Sequence, residues 1–279
     1  LLLYTINRHT MKNTIIIFCI LMFTSVAFAQ QTTIWTIGSA RTVPKGSAEF
    51  GIAHPLQVGI TNTLELSTQP ILALGLVPNF AIKKLWWVGD IMIATQHRYS
   101  MPTTMYRVMG DIEKRFTYIP DSLEIPYLFG IGNDILISAG VGPEAILSVK
   151  LGGDFGLKYR GDSLPQIYKP ILYPRTAIYH DMFVWNIGMD LDGNIYKNFN
   201  FSADIDFYSV GLKIDDWAIE HKGYFIYNHS TNFAALIGYK ASYGSYPDGR
   251  KLYVLPIVDL IFKINPPKPK PVPGLWRKK

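Results

Sequence analysis

Residues 199–208 read FNFSADIDFY, and residues 233–243 read FAALIGYKASY. In the first stretch, Phe, Ala and Ile alternate with Asn, Ser and Asp. In the second, larger side chains alternate mainly with small or polar ones. A period of two is that of a β-strand whose two faces meet different surroundings. The pattern therefore predicts long strands, each with one apolar, aromatic-rich face and one polar face.

The same alternation recurs over much of the chain, which predicts an all-β protein of antiparallel strands. Its other occurrences are residues 145–150, 155–160, 183–190, 217–230 and 252–263. The clearest runs are longer than the usual ~5–6 residues of soluble strands, and they match the ~9–11 residues that a tilted strand needs to cross a bilayer. We expect about 12 strands, within a range of 10 to 14.

Turn residues separate the predicted strands. Asp192-Gly193, Asp248-Gly249 and Gly152-Gly153-Asp154 are typical of tight turns, and Asn133-Asp134 is a further candidate. Residues 56–67 predict a hairpin of two short strands. Three prolines interrupt residues 71–125 and two more, Pro70 and Pro126, flank them. The alternation fails there, and residues 72–77 suit a strand, a loop plug or a short helix.

The N-terminus predicts export. Residues 11–13 form a basic start, residues 15–23 are unbroken apolar sequence, and small residues precede a cleavage site between Ala29 and Gln30. This is the order of a secretory signal peptide at residues 11–29, with residues 1–10 as an upstream extension. The only cysteine, Cys19, would leave with it, so a mature chain without disulfides is expected.

The net charge of +6 is misleading as a guide to partners. Residues 1–29 hold two of the 27 basic residues and residues 265–279 hold five, without an acid in either segment. Residues 30–264, the predicted barrel domain, therefore carry 20 basic and 21 acidic residues. A near-neutral body argues against nucleic acid as a partner. Charged residues make up only 17% of the chain, against about 25% in soluble domains.

These features together resemble outer-membrane β-barrel proteins of Gram-negative bacteria, whose short periplasmic hairpins are similar to residues 58–66, VGITNTLEL. The resemblance covers roughly residues 46–264 and concerns architecture only. It implies an antiparallel transmembrane barrel in the outer membrane, with membrane lipid and the barrel assembly machinery as partners. The aromatic residues would then form an interfacial girdle; the candidates are Leu85-Trp86-Trp87, Tyr239, Tyr243, Tyr246 and Tyr253.

If the aromatic faces point to lipid, charged residues on the opposite faces point into the lumen. The predicted lumen-facing residues are Arg98, Lys150, Lys158, Arg160, Asp204, Asp206, Glu220, Lys222, Lys240, Asp259 and Lys263. Both signs occur, which is consistent with an ion-paired filling or with a polar pore or solute cavity. About 12 strands lie between the ~8 of filled barrels and the ~16–18 of aqueous channels.

No catalytic residue, metal ligand or cofactor site is predicted. Residues 227–232, YNHSTN, are loosely similar to the His-x-Ser-Asn element of outer-membrane lipid hydrolases. In those enzymes the nucleophile lies two residues after the histidine on the same strand face. Here Thr231 occupies that position, and Ser230 points the other way, so a polar hairpin end is the simpler interpretation.

Residues 265–279, NPPKPKPVPGLWRKK, form a basic tail whose prolines exclude helix and strand. It is either a solvated end or a tether to a periplasmic partner, to peptidoglycan or to anionic lipid, with Trp276 as the anchor. The sequence as a whole predicts a narrow channel, a solute-binding barrel or a structural scaffold without evident catalysis. An exported soluble β-sandwich that binds a ligand or partner is the alternative, and a lipid hydrolase is a remote one.

Overall fold

The computed structural model of the protein describes residues 38–113, 124–142, 144–161, 172–211, 215–246 and 249–265. The predicted signal peptide, its cleavage site at Ala29 and Gln30, and nearly all of the basic tail lie outside these residues. Within them, no helix is long and apolar enough to cross a membrane.

Twelve strands and four short helices make up the described chain. The strands are β1 (Ala48–Phe50), β2 (Leu56–Thr61), β3 (Leu64–Thr68), β4 (Asn79–Trp87), β5 (Ile91–Ser100), β6 (Tyr127–Gly140), β7 (Ala145–Tyr159), β8 (Phe183–Tyr196), β9 (Phe199–Val210), β10 (Trp217–Asn228), β11 (Phe233–Tyr246) and β12 (Gly249–Ile264). The helices are α1 (Pro70–Leu74), α2 (Thr103–Glu113), α3 (Tyr173–Thr176) and α4 (Ile178–Asp181).

The strands form one closed antiparallel barrel in which each strand pairs with its neighbours in sequence. The ring closes where β1 pairs with the end of β12, with Glu49 opposite Lys263. Closure leaves no second sheet among the described strands, so the β-sandwich alternative is wrong. The predicted antiparallel barrel of about 12 strands is confirmed.

The two ends of the barrel differ. β1 starts at one end, and the turns at that end, such as 62–63 and 197–198, contain two to four residues. The other end carries the connections 69–78, 101–126 and 160–182, which hold the four helices. We call these the short-turn end and the long-loop end. Short turns on one side and longer loops on the other are typical of outer-membrane barrels.

The strand faces have opposite polarity, as the alternation predicts. In β9, Phe199 and Ile205 are exposed on the outside, whereas Asn200 and Asp206 are buried inside. The same order holds in β6, where Ile135 and Ile137 are exposed and Asp134 is buried. An apolar exterior around a polar interior is the arrangement of a barrel surrounded by lipid.

Several local predictions differ from the structure. Gly152-Gly153 and Asn133-Asp134 lie in the middle of strands, and Asp192-Gly193 lies inside β8, whose turn comes at residues 197–198. Residues 71–125 contain β4, β5 and the two helices α1 and α2, and residues 72–77 overlap the end of α1. The predicted hairpin at residues 56–67 is present as β2 and β3.

The aromatic girdle is present only in part. Trp86, Trp87 and Tyr243 are exposed on the outside of the barrel toward the ends of their strands, as expected for an interfacial position. Tyr239 is also exposed on the outside, but it lies in the middle of β11. Tyr246 is buried in the interior, as is Leu85, so these two residues were wrongly placed. Tyr253 pairs with the fully buried Ser242, which puts it on the lumen side of the sheet.

Candidate functional site

The lumen at the short-turn end contains the chain's own N-terminal segment, residues 38–44, which we call the N-terminal plug. Ala40 is fully buried in it, and its backbone N–H donates to Ser138 Oγ at 2.8 Å. The Val43 N–H donates to a carboxylate oxygen of Glu65 at 2.8 Å, and Lys83 Nζ donates to the Arg41 carbonyl at 3.0 Å. These bonds satisfy the backbone of an irregular segment in a place where little water reaches it.

Around Ala40 the lumen wall is apolar. The side chains that pack there are Leu85, Met92, Ala94 and Leu136. Just beyond them, Glu65 and Lys83 form a buried ion pair at 3.2 Å. The N-terminal plug is thus held by a small apolar contact and by hydrogen bonds to the wall.

The lumen at the long-loop end contains a second segment, residues 172–182, which we call the loop plug. It consists of α3 and α4 and ends at Met182, whose left-handed backbone (φ 64°) turns the chain into β8. Four of its buried side chains, Tyr173, Ala177, Ile178 and Tyr179, pack against the wall. The wall residues in this contact are Leu128, Val184, Tyr208, Val210, Ala218 and Tyr246. The connection between β7 and β8 therefore fills this mouth of the barrel.

Gly156 of β7 lets the loop plug approach the wall. A Cβ atom at this position would lie 2.2 Å from the Ile178 carbonyl oxygen and 2.5 Å from its carbon. The Gly156 N–H donates to the Met182 carbonyl at 3.1 Å. Backbone of the plug thus rests directly on backbone of the strand, an approach that only glycine permits.

One ion pair anchors the loop plug to the wall. The two guanidinium nitrogens of Arg175 each donate to one carboxylate oxygen of Glu220 at 2.6 Å. Glu220 is fully buried and also pairs with Lys240 Nζ at 2.9 Å. The guanidinium of Arg175 lies 5.5 Å from the centroid of the Tyr208 ring. Burial by itself would lower the pKa of Arg175, but the Glu220 carboxylate outweighs it and raises that pKa well above its ordinary value.

Further along the lumen, charged side chains from five strands cross-link the wall. Lys150 pairs with Asp206 at 2.6 Å, and Lys222 pairs with Asp204 and, at 3.9 Å, with Asp206. On β5, Arg98 pairs with Asp134 of β6 at 3.1 Å and with Asp154 of β7 at 2.9 Å. We call this set the charge ladder. In a low-dielectric interior such charges are tolerated only when each has a partner.

Most of the predicted lumen residues lie in these contacts, but they do not form one cluster. Arg98, Lys150, Asp204, Asp206 and Lys222 belong to the charge ladder, and Glu220 and Lys240 to the loop-plug anchor.

The remaining predicted residues lie near the closing seam or at the rim. Asp259 accepts N–H groups from residues 52, 53 and 54, and Lys263 pairs with Glu49 at 2.8 Å. Lys158 is exposed at the end of β7, near His180. Burial, and secondly this ammonium, lower the pKa of His180.

Arg160 does not face the lumen. β7 ends at Tyr159, and Arg160 has a left-handed φ of 54°. Its guanidinium lies 5.2 Å from the centroid of the outward Tyr159 ring. The alternation was extended one residue too far, so Arg160 belongs to the outer rim.

Arg175, Glu65, Lys83, Asp134 and Asp154 are lumen residues that the sequence did not identify. Arg175 lies in a loop without alternation, 45 positions before its partner Glu220. Glu65 stands on a strand of five residues, and Lys83 lies within residues 71–125, where the alternation fails. Asp134 and Asp154 stand in stretches whose sequence is typical of turns. Asp134 and Asp154 could have been identified only by continuing the inward–outward alternation of β6 and β7 through the glycines of these strands.

No catalytic arrangement emerges among the described side chains. His229, Ser230 and Thr231 are exposed in the turn between β10 and β11, where the Asn232 N–H donates to Ser230 Oγ at 3.3 Å. This is the polar hairpin end that the sequence favoured. Within the described part of the chain, no three His, Cys, Asp or Glu side chains lie close enough to hold a metal ion.

The site is therefore the lumen of a membrane β-barrel that carries plugs at both ends. No protein-family model and no curated protein matches the chain. Solved structures to which it is similar are outer-membrane β-barrels.

One is the KdgM porin in complex with disordered oligogalacturonate, at 9% identity and a TM-score of 0.40, covering 77% of this chain and 95% of that one. A second is the outer-membrane expressed OmpT of Vibrio cholerae, at 7% identity and a TM-score of 0.38, covering 75% and 64%. A third is the CymD monoaromatic hydrocarbon channel, at 8% identity and a TM-score of 0.31, covering 75% of this chain and 76% of that one. The closed antiparallel barrel of 12 strands confirms the predicted resemblance at the level of architecture. Likeness this distant carries nothing about solute or mechanism.

Proposed function

We propose that the protein is an outer-membrane β-barrel that acts as a narrow channel for small polar solutes and is closed at rest by its loop plug. The observation that carries this proposal is the anchoring of the plug by the Arg175–Glu220 pair. The anchor joins a connecting loop to the polar wall of the barrel, so its release would expose a charged lumen without unfolding a strand.

The polarity of the lumen supports a route for hydrophilic solutes. Below the loop plug the wall presents Lys150, Asp204, Asp206 and Lys222, which are charged groups of both signs. Such a lining hydrates readily once the plug leaves, whereas an apolar filling would stay dry. Mixed charge also predicts weak selectivity between cations and anions.

Conductance in planar lipid bilayers tests the proposal. Wild-type protein should be closed for most of the time, since both mouths hold packed segments. Arg175→Gln removes the anchor and leaves the strands intact, so we expect a larger open fraction, with the current limited by the N-terminal plug at the other mouth. Arg250→Gln, which changes an exposed arginine at the same end, is the matched control and should behave as wild type.

The folding state of each variant is checked by its mobility on unboiled gels. The N-terminal plug still fills the other mouth in Arg175→Gln. A folded protein that lacks residues 38–44 and also carries Arg175→Gln, yet conducts no current, would overturn the channel proposal. The closed lumen would then indicate a structural scaffold. A barrel that binds a solute without conducting it would instead show saturable solute binding and no current.

The partners predicted for the chain enter here as proposals. Lipid would surround the apolar exterior, and the assembly machinery would insert the barrel. The tether from residues 265–279 to peptidoglycan or a periplasmic partner depends on a tail that lies almost wholly outside the described residues. Deleting residues 266–279 and finding unchanged localisation and co-purifying partners would remove that proposal.

A further inference from the structure

β10, β11 and β12 carry an apolar cluster on their lumen face. Its buried members are Ile226, Ala234, Leu236 and Ile261, and Tyr224 and Ile257 pack against them. The four buried members are between 0% and 4% exposed, so water does not reach them. All six residues belong to the wall, and among the described residues neither plug contributes to the cluster. We call it the inner apolar patch.

Two other apolar clusters line the described lumen, and each of them holds a plug. Ala40 of the N-terminal plug packs in one, and Ala177 and Ile178 of the loop plug pack in the other. Elsewhere the buried lumen face is largely polar, as at Ser202 and Ser242. Apolar side chains inside this barrel therefore mark places where a segment of the chain packs on the wall. The inner apolar patch has no such segment among the described residues.

The N-terminal plug runs round the wall toward this patch. Its contacts advance in strand order as the residue number falls: Val43 with Glu65 of β3, Arg41 with Lys83 of β4, and Ala40 with Ser138 of β6. Gly38 then lies against β8, because a Cβ atom on it would be 2.0 Å from a carboxylate oxygen of Asp190. The next strands in this direction are β9 to β12.

Gly38 also lies at the level of the inner apolar patch. Through Asp204 of β9, Asp190 is in register with Lys222 of β10. Tyr224 of the patch is the next inward residue of β10 after Lys222. Adjacent strands are ~4.8 Å apart, so the patch begins about 10 Å along the wall from the point where the described plug ends.

The chain that precedes Gly38 matches this surface in composition and length. Residues 30–37, which lie outside the described residues, read QQTTIWTI and contain neither a charge nor a proline. Eight extended residues reach about 26–29 Å, and the distance along the wall from β8 to β12 is about 19 Å. The other terminal segment, residues 265–279, has five prolines and five basic residues and matches the patch poorly.

We propose that residues 30–37 continue the N-terminal plug across the inner apolar patch, with Trp35 packed against β10 and β11. Trp35 precedes Gly38 by about 10 Å of extended chain, which is the distance along the wall from β8 to β10. Packing Ile34, Trp35 and Ile37 there removes apolar surface from water on both sides of the contact. The N-terminal chain then covers the wall from β3 to β12 and closes the short-turn mouth independently of the loop plug.

Disulfide trapping in the full-length protein in detergent tests the position of Trp35. Cys19 is the only cysteine, so Cys19→Ser gives a cysteine-free background. We expect Trp35→Cys with Leu236→Cys to form a disulfide, seen as loss of maleimide labelling at both positions after unfolding. Trp35→Cys with Ile237→Cys is the matched control, because Ile237 is the next residue of β11 and faces outward, 62% exposed. Both cysteines of the control should label fully.

A second pair keeps the test decisive if Leu236→Cys does not fold. Trp35→Cys with Ile257→Cys probes the same patch from β12, and Val258→Cys replaces Ile257→Cys in its outward control. Mobility on unboiled gels shows which variants are folded. Folded inward pairs that stay unoxidised, or equal oxidation of inward and outward pairs, would overturn the proposal.

Accessibility of the patch provides a measurement without a disulfide. Trp35→Ala should make a single Ile257→Cys react several-fold faster with a water-soluble maleimide, because the patch loses its cover. Trp86→Ala, which removes an exposed tryptophan outside the barrel, is the control and should leave the rate unchanged. Equal rates in the two variants would count against the covering role of Trp35. Neither experiment records current, so the inference fails or stands separately from the channel proposal.

Discussion

Glu220→Gln is expected to lower the free energy of unfolding by about 1–3 kcal/mol, because Glu220 is fully buried whereas the Arg175 side chain it leaves is 40% exposed. Glu220 is fully buried and receives both guanidinium nitrogens of Arg175 as well as Lys240. Glutamine keeps the size of the side chain but not its charge. Two cations are then left in the lumen without their shared carboxylate.

Heat-modifiability in detergent measures this effect. The temperature at which the compact gel band converts to the unfolded one should fall clearly for Glu220→Gln. Glu144→Gln is the matched control, because Glu144 lies in the short turn between β6 and β7 and forms no ion pair with a described residue. The free energy of unfolding of Glu144→Gln should stay within about 0.5 kcal/mol of the wild-type value.

The double variant Glu220→Gln with Arg175→Gln separates charge from packing. Removing Arg175 eliminates one of the two cations that have lost the Glu220 carboxylate, so part of the lost stability should return. If Glu220→Gln unfolds at the wild-type temperature, the pair contributes little and the loop plug is held by its apolar contacts alone. The buried ion pair would then be a poor explanation of how the barrel stays closed.

The long strands could be predicted because their two faces meet different solvents. In β9, Phe199 and Ile205 face outward and Asn200 and Asp206 face inward, so composition alternates over the whole strand. β4 and β5, by contrast, place the apolar side chains Leu85, Met92 and Ala94 on the inward face, where they pack against Ala40. Because both faces of these strands are partly apolar and two helical connections adjoin them, residues 71–125 show no clear alternation in the sequence.

Glycine and aspartate misled the turn predictions for a physical reason. A Cβ on Gly152 would lie 1.9 Å from a carboxylate oxygen of Asp134, and one on Gly188 would lie 2.0 Å from a carboxylate oxygen of Asp206. In a narrow barrel, glycine on one strand makes room for a charged side chain crossing from the next. The same two residue types mark a turn in an open hairpin, and local sequence does not separate the two cases.

The plugs could not be predicted, because they depend on contacts between distant parts of the chain. Ala40 meets Ser138, 98 positions away, and Arg175 meets Glu220, 45 positions away. Neither plug has a periodic sequence pattern. Their position in the lumen becomes visible only once the strands have closed into a barrel. The sequence predicts many of the charged residues of the lumen, but it does not predict the two segments that cover them.

Gly156→Ala is expected to displace the loop plug without altering any charge. Its new Cβ would lie 2.2 Å from the Ile178 carbonyl oxygen, a backbone atom that cannot rotate away. Either the plug or β7 must shift, and the plug is the less constrained of the two, because β7 pairs along its length with β6 and β8. Overpacking of this kind typically destabilises by about 1–3 kcal/mol.

Hydrogen–deuterium exchange over residues 172–182, together with bilayer conductance, measures that displacement. The exchange rate of residues 172–182 and the conductance should both rise in Gly156→Ala. Gly223→Ala is the matched control, since its Cβ would meet the outward Tyr239 ring at 3.1 Å, and that side chain can move into the surroundings. Wild-type exchange in Gly156→Ala would contradict the close approach of plug and wall.

Combining Gly156→Ala with Arg175→Gln decides whether the two changes act on one element. If both release the loop plug, the double variant should conduct little more than the stronger single variant, because a displaced plug cannot be displaced twice. Additive conductances would mean that Arg175 also restricts current through its own charge in the lumen. Exchange at residues 172–182 distinguishes these cases, since only release of the plug exposes its backbone amides.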